Sequence, residues 1–314
     1  MTREARNARV TLIVFPGGFN WPVWVAQERG MFARQGIGVE VVTTPGSVFQ
    51  WTSLANGDSH IAITLMDNVV AYRERQGEAP VVVSDAIAVM SLDNRAMPAL
   101  VTAPGISRYA HLEGKTLAVD AVKTGNALVL IGMLERGGLT PGDYRLERAG
   151  GVQQRFEAMQ RGEYAGALFN SPFEGLLGAL GFNILDSAAS ILPHFQGHVV
   201  AVRKGWAETN RDVLVGFLGA IVESLAWLYD AGNREQALAI YERNLPHSAP
   251  DAAQVAYDVL FDAVTGFPRN GELDGDGVRE VLALRARYGE PRKALSDASA
   301  YCDPEFLEEA LARR

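Results

Sequence analysis

The sequence predicts an α/β protein of two lobes, with a hinge, a cleft between the lobes and a helical C-terminal tail. Short strand-like runs alternate with helical ones as far as residue 202, the pattern of parallel sheets covered by helices. One strand–helix module occurs twice, about 105 residues apart. After Lys204 only helical spacing remains, which supplies the tail.

The first module reads as a strand at Val10 to Phe15, a Gly-rich turn, a helix through Trp24 to Phe32 and a strand at Val39 to Val42. A turn at Pro45-Gly46, a helix over Phe49 to Leu54, the stop Asn56-Gly57-Asp58 and a strand at Ile61 to Thr64 complete it. Adding 105 carries Leu12 to Leu117, Gly46 to Gly151, Trp51 to Phe156, Gly57 to Gly162, Asp58 to Glu163 and Ala62 to Ala167. Apolar agreement alone is cheap, but the repeated turn glycines and the acidic residue behind one of them are not. Between and after the modules, Pro80 to Val83, Ala86 to Met90, Ala99 to Thr102 and His198 to Val202 read as further strands. In the tail, Asn210 opens a helix with apolar residues at helical spacing from Leu214 to Leu228. Helices at about 234–244, 251–264, 276–288 and 304–313 follow. Two strand-like crossings divide the chain into lobe one, 1–95 plus 203–314, and lobe two, 96–202, with the tail packed on lobe one.

Composition bounds the function. Hydrophobic residues make up 48% of 314, enough for two real cores. A net charge of −8 with no basic run argues against a nucleic-acid or anionic-membrane partner. The single cysteine, Cys302, excludes an internal disulfide and a Cys-based zinc site. No stretch reaches the ~18 to 20 apolar residues of a membrane span. The basic start is followed by too short an apolar run for an export signal. The expectation is therefore a periplasmic protein with its signal removed, or else a cytoplasmic one.

In parallel α/β sheets ligands sit outside the C-terminal ends of the strands. Six loops occupy such ends, and lobes facing one another would bring all six into the cleft. In lobe one, Phe19, Asn20 and Trp21 follow the first strand, in a glycine-containing turn that either contacts a ligand or simply buries its aromatics. Gly46 and Ser47 open the next helix, Ser47 as cap alone or as cap and ligand donor. Asp67 and Asn68 follow the third strand; Asp67, like Glu174 of the other lobe, would repel an anion, so one of these two carboxylates would instead suit an amine or ring N–H. In lobe two, Lys123, Thr124, Gly125 and Asn126 hold the matching first loop, with Lys123 either in the cleft or solvated on its rim. Asn170, Phe173 and Glu174 follow the third strand of that lobe. Arg95, in the crossover, is either a bidentate partner for a carboxylate or an exposed hinge charge. Aromatics near the loops leave room for a solute with a ring. The five histidines show no metal spacing, and Asp274-Gly275-Asp276-Gly277 reads as a helix start rather than a calcium loop. No nucleophile elbow or P-loop is present, and no cofactor is expected.

Several stretches carry a family resemblance: WVAQERGMFARQGIGVEVV, GSVFQWTSLANGDSHIAIT, GKTLAVDAVKTGNALVL, FEAMQRGEYAGALFNSPFEGLL and AVRKGWAETNRDVLVGFL. In this order, over about residues 10–247, the chain resembles the periplasmic substrate-binding proteins of ABC importers, in the nitrate/sulfonate/taurine and thiamine-pyrimidine-synthase-like branch. The resemblance implies a type II periplasmic-binding-protein fold and closure of two lobes over a small solute, anionic or aromatic or heterocyclic. It also implies hydrogen bonds from the Lys123–Asn126 loop to the polar head of the solute, transient docking on a membrane permease, and a monomer. The same fold has cytoplasmic enzymes among its relatives: pyrimidine synthase, decarboxylases and dehydratases. This chain lacks the cysteine cluster of the pyrimidine synthase group, yet Asp67 or Glu174 with His194 would offer acid–base chemistry. An effector domain of a regulator is the third reading, weakened by the lack of a DNA-binding segment.

Overall fold

The computed structural model describes residues 8–92, 97–170, 173–246, 251–263 and 266–314. They form two five-stranded mixed sheets. The first holds β1 (Ala8–Val14), β2 (Ile37–Thr43), β3 (Ile61–Leu65) and β4 (Ala86–Ser91). The second holds β5 (Ala99–Thr102), β6 (Thr116–Val119), β7 (Arg145–Arg148), β8 (Gly166–Phe169) and β9 (Asn183–Ser187). The last strand, β10 (His198–Arg203), returns to the first sheet. The strand orders are β2-β1-β3-β10-β4 and β7-β6-β8-β5-β9.

The duplication is visible in the hydrogen-bond register. Leu12 lies opposite Val41 and Ile61, and Leu117, 105 residues on, lies opposite Leu146 and Gly166. Each of these partners is also displaced by 105. The likeness extends to the antiparallel strands: β10 shifts register against β4 between Val200 and Ala201, and β5 shifts against β9 between Leu100 and Val101. Those residues face Ile63 and Ala62 in one sheet, Leu168 and Ala167 in the other. Gly57 and Gly162 both sit at left-handed φ, 81° and 73°, after their helices. A side chain there would be strained, which is why the turn glycine recurs.

Four expectations are corrected. β10 belongs to the first sheet, so the return crossing precedes His198 and lobe one takes up the chain from there, not from residue 203. Pro80 to Val83 is not a strand. The Val83 amide donates to the Tyr72 carbonyl at the end of a helix, and Pro80 has no amide to give. The helix expected through Phe32 stops at Glu28, because Gly30 turns left-handed at φ 65° before a short helix, Met31–Arg34. The tail, finally, does not pack on lobe one alone.

In lobe one the helices Trp21–Glu28, Arg211–Leu228, Arg234–Asn244 and Glu305–Ala312 cover one face of the sheet. Ser47–Asn56 and Met66–Arg73 cover the other. The helix Gly275–Tyr288 sends Val278, Val281 and Leu282 into that second core. Its next turn sends Leu284 into the core of lobe two, with Tyr288 packed beside it. Among the described residues no single helix is long and apolar enough to cross a membrane.

Candidate functional site

The C-terminal ends of the two sheets meet. The loop after β6 reaches the helix that follows β3: an ideal Cβ on Gly125 would lie 2.5 Å from Cγ of Asp67. The Lys123 amide donates to Glu78 Oε1 at 2.7 Å. Gly125 therefore gives backbone access to a carboxylate of lobe one rather than to open space.

Asp67 itself is not available to a solute. It is buried, and both its oxygens are taken by Arg285 of the tail, whose side chain is equally buried. Arg285 also donates to the carbonyls of Gln76 in lobe one and Lys123 in lobe two, at 3.2 and 2.8 Å. The Asp67 charge that would repel an anion is thus already compensated, and its place as partner for an amine is filled.

On lobe one, Gly17 and Gly18 turn the chain after β1. A Cβ on Gly17 would strike the Phe19 ring, which stacks on His198 at 3.8 Å between centroids. Burial lowers the His198 pKa to about 4, so this ring is neutral at pH 7. Asn20 is buried and donates through Nδ2 to the Phe15 carbonyl at 2.7 Å. Trp21 points the other way. It has no exposed surface, packs against Tyr241, Tyr257 and Phe261, and donates its Nε1–H to Ala237 O, which makes it core rather than cleft wall.

Gly46 is the residue before the helix Ser47–Asn56, but the Ser47 hydroxyl does not cap it; Ser47 Oγ accepts from Tyr72 instead. Thr44 takes up the turn, its Oγ1 bonded to both backbone groups of Gly46. Asn68 donates to Thr64 Oγ1 at 3.0 Å, within its own lobe. On lobe two, Thr124 caps the helix Gly125–Arg136 and also hydrogen-bonds Asp120 Oδ1 at 2.7 Å. Lys123 is exposed, Asn126 half-buried, Asn170 exposed, and Phe173 and Glu174 half-buried. Arg95 lies outside the described residues.

Three residues here were not singled out from the sequence: Gln50, Arg155 and Asp120. Gln50 is fully buried at the ends of β1 and β3, donating through Nε2 to Ile13 O and Ile63 O. Arg155 stands 105 residues further, likewise the fourth residue of its helix, Val152–Gln160. It is 6% exposed, and one guanidinium nitrogen donates to Gly150 O at 2.8 Å. Asp120, at the end of β6, has its pKa raised by burial, against the opposing pull of Arg155 and the Thr124 hydroxyl. The repeat offset applied to the helix after the second strand would have found Arg155. The two lobes thus bring an amide and a guanidinium to equivalent places.

His194 lies 3.4 Å from Asp274, not against Asp67. With Asp276 these residues bring three metal-capable atoms within 4.8 Å of one another. Asp274 Oδ1 is engaged as cap of the tail helix, as the sequence led us to expect, and Asp276 pairs with Arg279.

This architecture defines a class: two duplicated α/β lobes closing strand ends on strand ends form the periplasmic-binding-protein fold. Within that class the chain belongs to the NMT1/THI5-like family, whose model matches residues 20–234. The fold is shared with the periplasmic nitrate-binding protein NrtA of Synechocystis PCC 6803, with a TM-score of 0.73 and 13% identity over 98% of this chain and 89% of that one. It is also shared with a putative sulfonate ABC transporter's periplasmic sulfonate-binding protein, SsuA, of Methylobacillus flagellatus KT, with a TM-score of 0.70 and 16% identity over 98% and 95%. The desulfurization enzyme DSZB superposes with a TM-score of 0.66 and 15% identity over 98% and 99%. A search of curated protein sequences finds no match.

Proposed function

We propose that this protein is the solute-binding component of an ABC importer, closing two lobes over a small organic solute and delivering it to a membrane permease. The observation that carries this reading is the meeting of the loop after β6 with the helix that follows β3, Gly125 against Asp67, and with the segment beyond that helix, Lys123 against Glu78, across a duplicated fold. The neighbours named as nitrate- and sulfonate-binding proteins support it. The solute is an acid whose acidic end meets Arg155, a buried cation with one of its nitrogens on a backbone carbonyl. Affinity then follows from how much more tightly the closed state holds the solute than the open one. On this reading the protein acts as a periplasmic monomer and docks only transiently on its permease.

The likeness to a desulfurization enzyme favours a same-fold enzyme as second reading. The pairing of Asp67 with His194 that would serve it is not made: Asp67 is held by Arg285, and His194 lies against Asp274 instead. The test is native mass spectrometry of the protein after incubation with a bacterial small-molecule extract, then denaturation to identify what was held. A stoichiometric, chemically unchanged acid is expected. A converted product, or an acid consumed over time, would establish the enzyme.

A further inference from the structure

Two carboxylates of lobe one reach the loop after β6, and they do so on unequal terms. Asp67, against Gly125, has Arg285 on both its oxygens, so its charge is compensated. Glu78 is half-buried and accepts the Lys123 amide at 2.7 Å. Among the described residues its carboxylate has no other donor and no cation in ion-pair contact. Arg285, which reaches the Lys123 carbonyl, is already committed to Asp67. A carboxylate on a backbone N–H is a charge-assisted bond, and this one joins two lobes.

An amide has one proton to give. That of Lys123 lies between β6 and the helix Gly125–Arg136, at the strand end where backbone donors serve a ligand. Thr124 of the same loop hydrogen-bonds Asp120, and Asp120 feels the charge of Arg155. An acid drawn to Arg155 therefore arrives at this loop and meets an amide already held by a carboxylate. The two acids cannot share that proton, and their like charges repel at close range. Glu78 is also placed to yield. Gln76, two residues before it, is the fixed point, fully buried and donating to the carbonyls of Arg285 and Pro291. Beyond Gln76 the chain leaves the core, and the Lys123 amide is what holds the Glu78 carboxylate in place.

We infer that Glu78 is a built-in competitor of acidic solutes: its carboxylate occupies the Lys123 amide, and an acid binds by displacing it. The inference rests on the solute-binding reading above and adds a threshold to it. An anion that offers no more than an acidic group gains little by replacing the carboxylate already there. A solute with further contacts in the cleft overcomes it, so the contact gives up affinity for discrimination.

Wild type and Glu78→Ala, mixed in equal amounts with a limiting quantity of the bacterial extract, compete for the same acid in one tube, and native mass spectrometry reads how it divides. The acid should sit on the variant at least tenfold more often than on the wild type. Without extract, amide hydrogen exchange at Lys123 should be at least tenfold faster in the variant. Glu78→Gln keeps an oxygen for the amide and loses the charge, so its gain in binding should fall short of that of Glu78→Ala. A full gain in Glu78→Gln would show charge alone at work and overturn the inference, as would unchanged exchange at Lys123. Equal division of the acid, or preference for the wild type, would also overturn it and leave the solute-binding reading intact; preference for the wild type would make Glu78 a clasp over bound solute. Capture of nothing by any of the three proteins would overturn the solute-binding reading, and this inference with it.

Discussion

Arg285 holds Asp67 by both carboxylate oxygens, Nε to Oδ1 at 2.6 Å and Nη2 to Oδ2 at 2.5 Å, from 218 residues away in sequence. The same guanidinium reaches the Lys123 carbonyl of the other lobe. One side chain thus fastens the helix after β3, the tail helix and the first loop of lobe two. Around it, Arg287 and Tyr288 of the same helix both bond Glu135 of lobe two. The tail helix is a third connection between lobes, besides the two crossings.

Removing one member of such a pair leaves a buried charge uncompensated. Arg285→Met is expected to lower unfolding free energy by ~3 to 5 kcal/mol, measured by urea titration. The double variant Arg285→Met/Asp67→Leu should recover most of that loss, because no charge is left buried. It should still lose the bond to Lys123, so its radius of gyration without solute, by X-ray scattering, should exceed that of the wild type. An unchanged radius would mean that the bond does not hold the lobes together.

Gly125 makes a second, purely steric demand. A methyl group there would sit 2.5 Å from Asp67 Cγ and 2.7 Å from its Cβ, and Asp67 is pinned by Arg285 and cannot yield. Gly125→Ala should cost ~1 to 3 kcal/mol as an overpacked contact and bias the lobes apart. Scattering with and without bound solute would show it, as an expanded protein that solute closes less completely.

The repeat offset and the tail helices were legible in the sequence because both show in the spacing of apolar and turn residues along the chain. The helix expected at 234–244 is observed as Arg234–Asn244, and the 105-residue repeat holds pair by pair in the sheets. Pro80 to Val83 misled because an apolar run shows β-propensity without showing whether a neighbouring strand edge is free. Trp21 misled for a related reason: its place beside the turn was readable, but the face it buries was decided by Tyr241 and Phe261, more than 200 residues on. No local pattern pairs Asp67 with Arg285 either. Arg155 was within reach, since the duplication aligns it with Gln50, but nothing in the sequence showed that Gln50 faces the strand ends.

His198 supplies a pH dependence. Burial lowers its pKa from 6.5 to about 4. Between those values the unfolded chain binds a proton that the folded one refuses, so stability is complete above pH 6.5 and falls as pH drops toward 4. The loss is at most about 3 kcal/mol from this residue. Urea midpoints at pH 7.5 and 4.5 should converge more in His198→Gln than in the wild type; equal shifts in both proteins would show that His198 does not set the dependence.

Trp21 and Arg155 should separate core from site. Trp21→Ala empties a fully buried aromatic position and should cost ~3 to 5 kcal/mol while leaving the choice among solutes unchanged. Arg155→Met should instead weaken binding of acidic solutes by at least tenfold, a loss of about 1.4 kcal/mol or more. Its effect on stability should also carry a pH signature. The Asp120 carboxyl is already raised by burial, and Arg155 is the charge that opposes the rise. Without Arg155 the pKa climbs further, so the buried carboxylate penalises the folded state at neutral pH. That penalty is relieved on acidification, as the carboxyl takes up its proton in the folded protein before the unfolded chain does. Arg155→Met should therefore be most destabilised, relative to wild type, near pH 7 and least near pH 5. The additional substitution Asp120→Asn should abolish the difference. A destabilisation independent of pH would mean that Arg155 acts through packing and its bond to Gly150 alone.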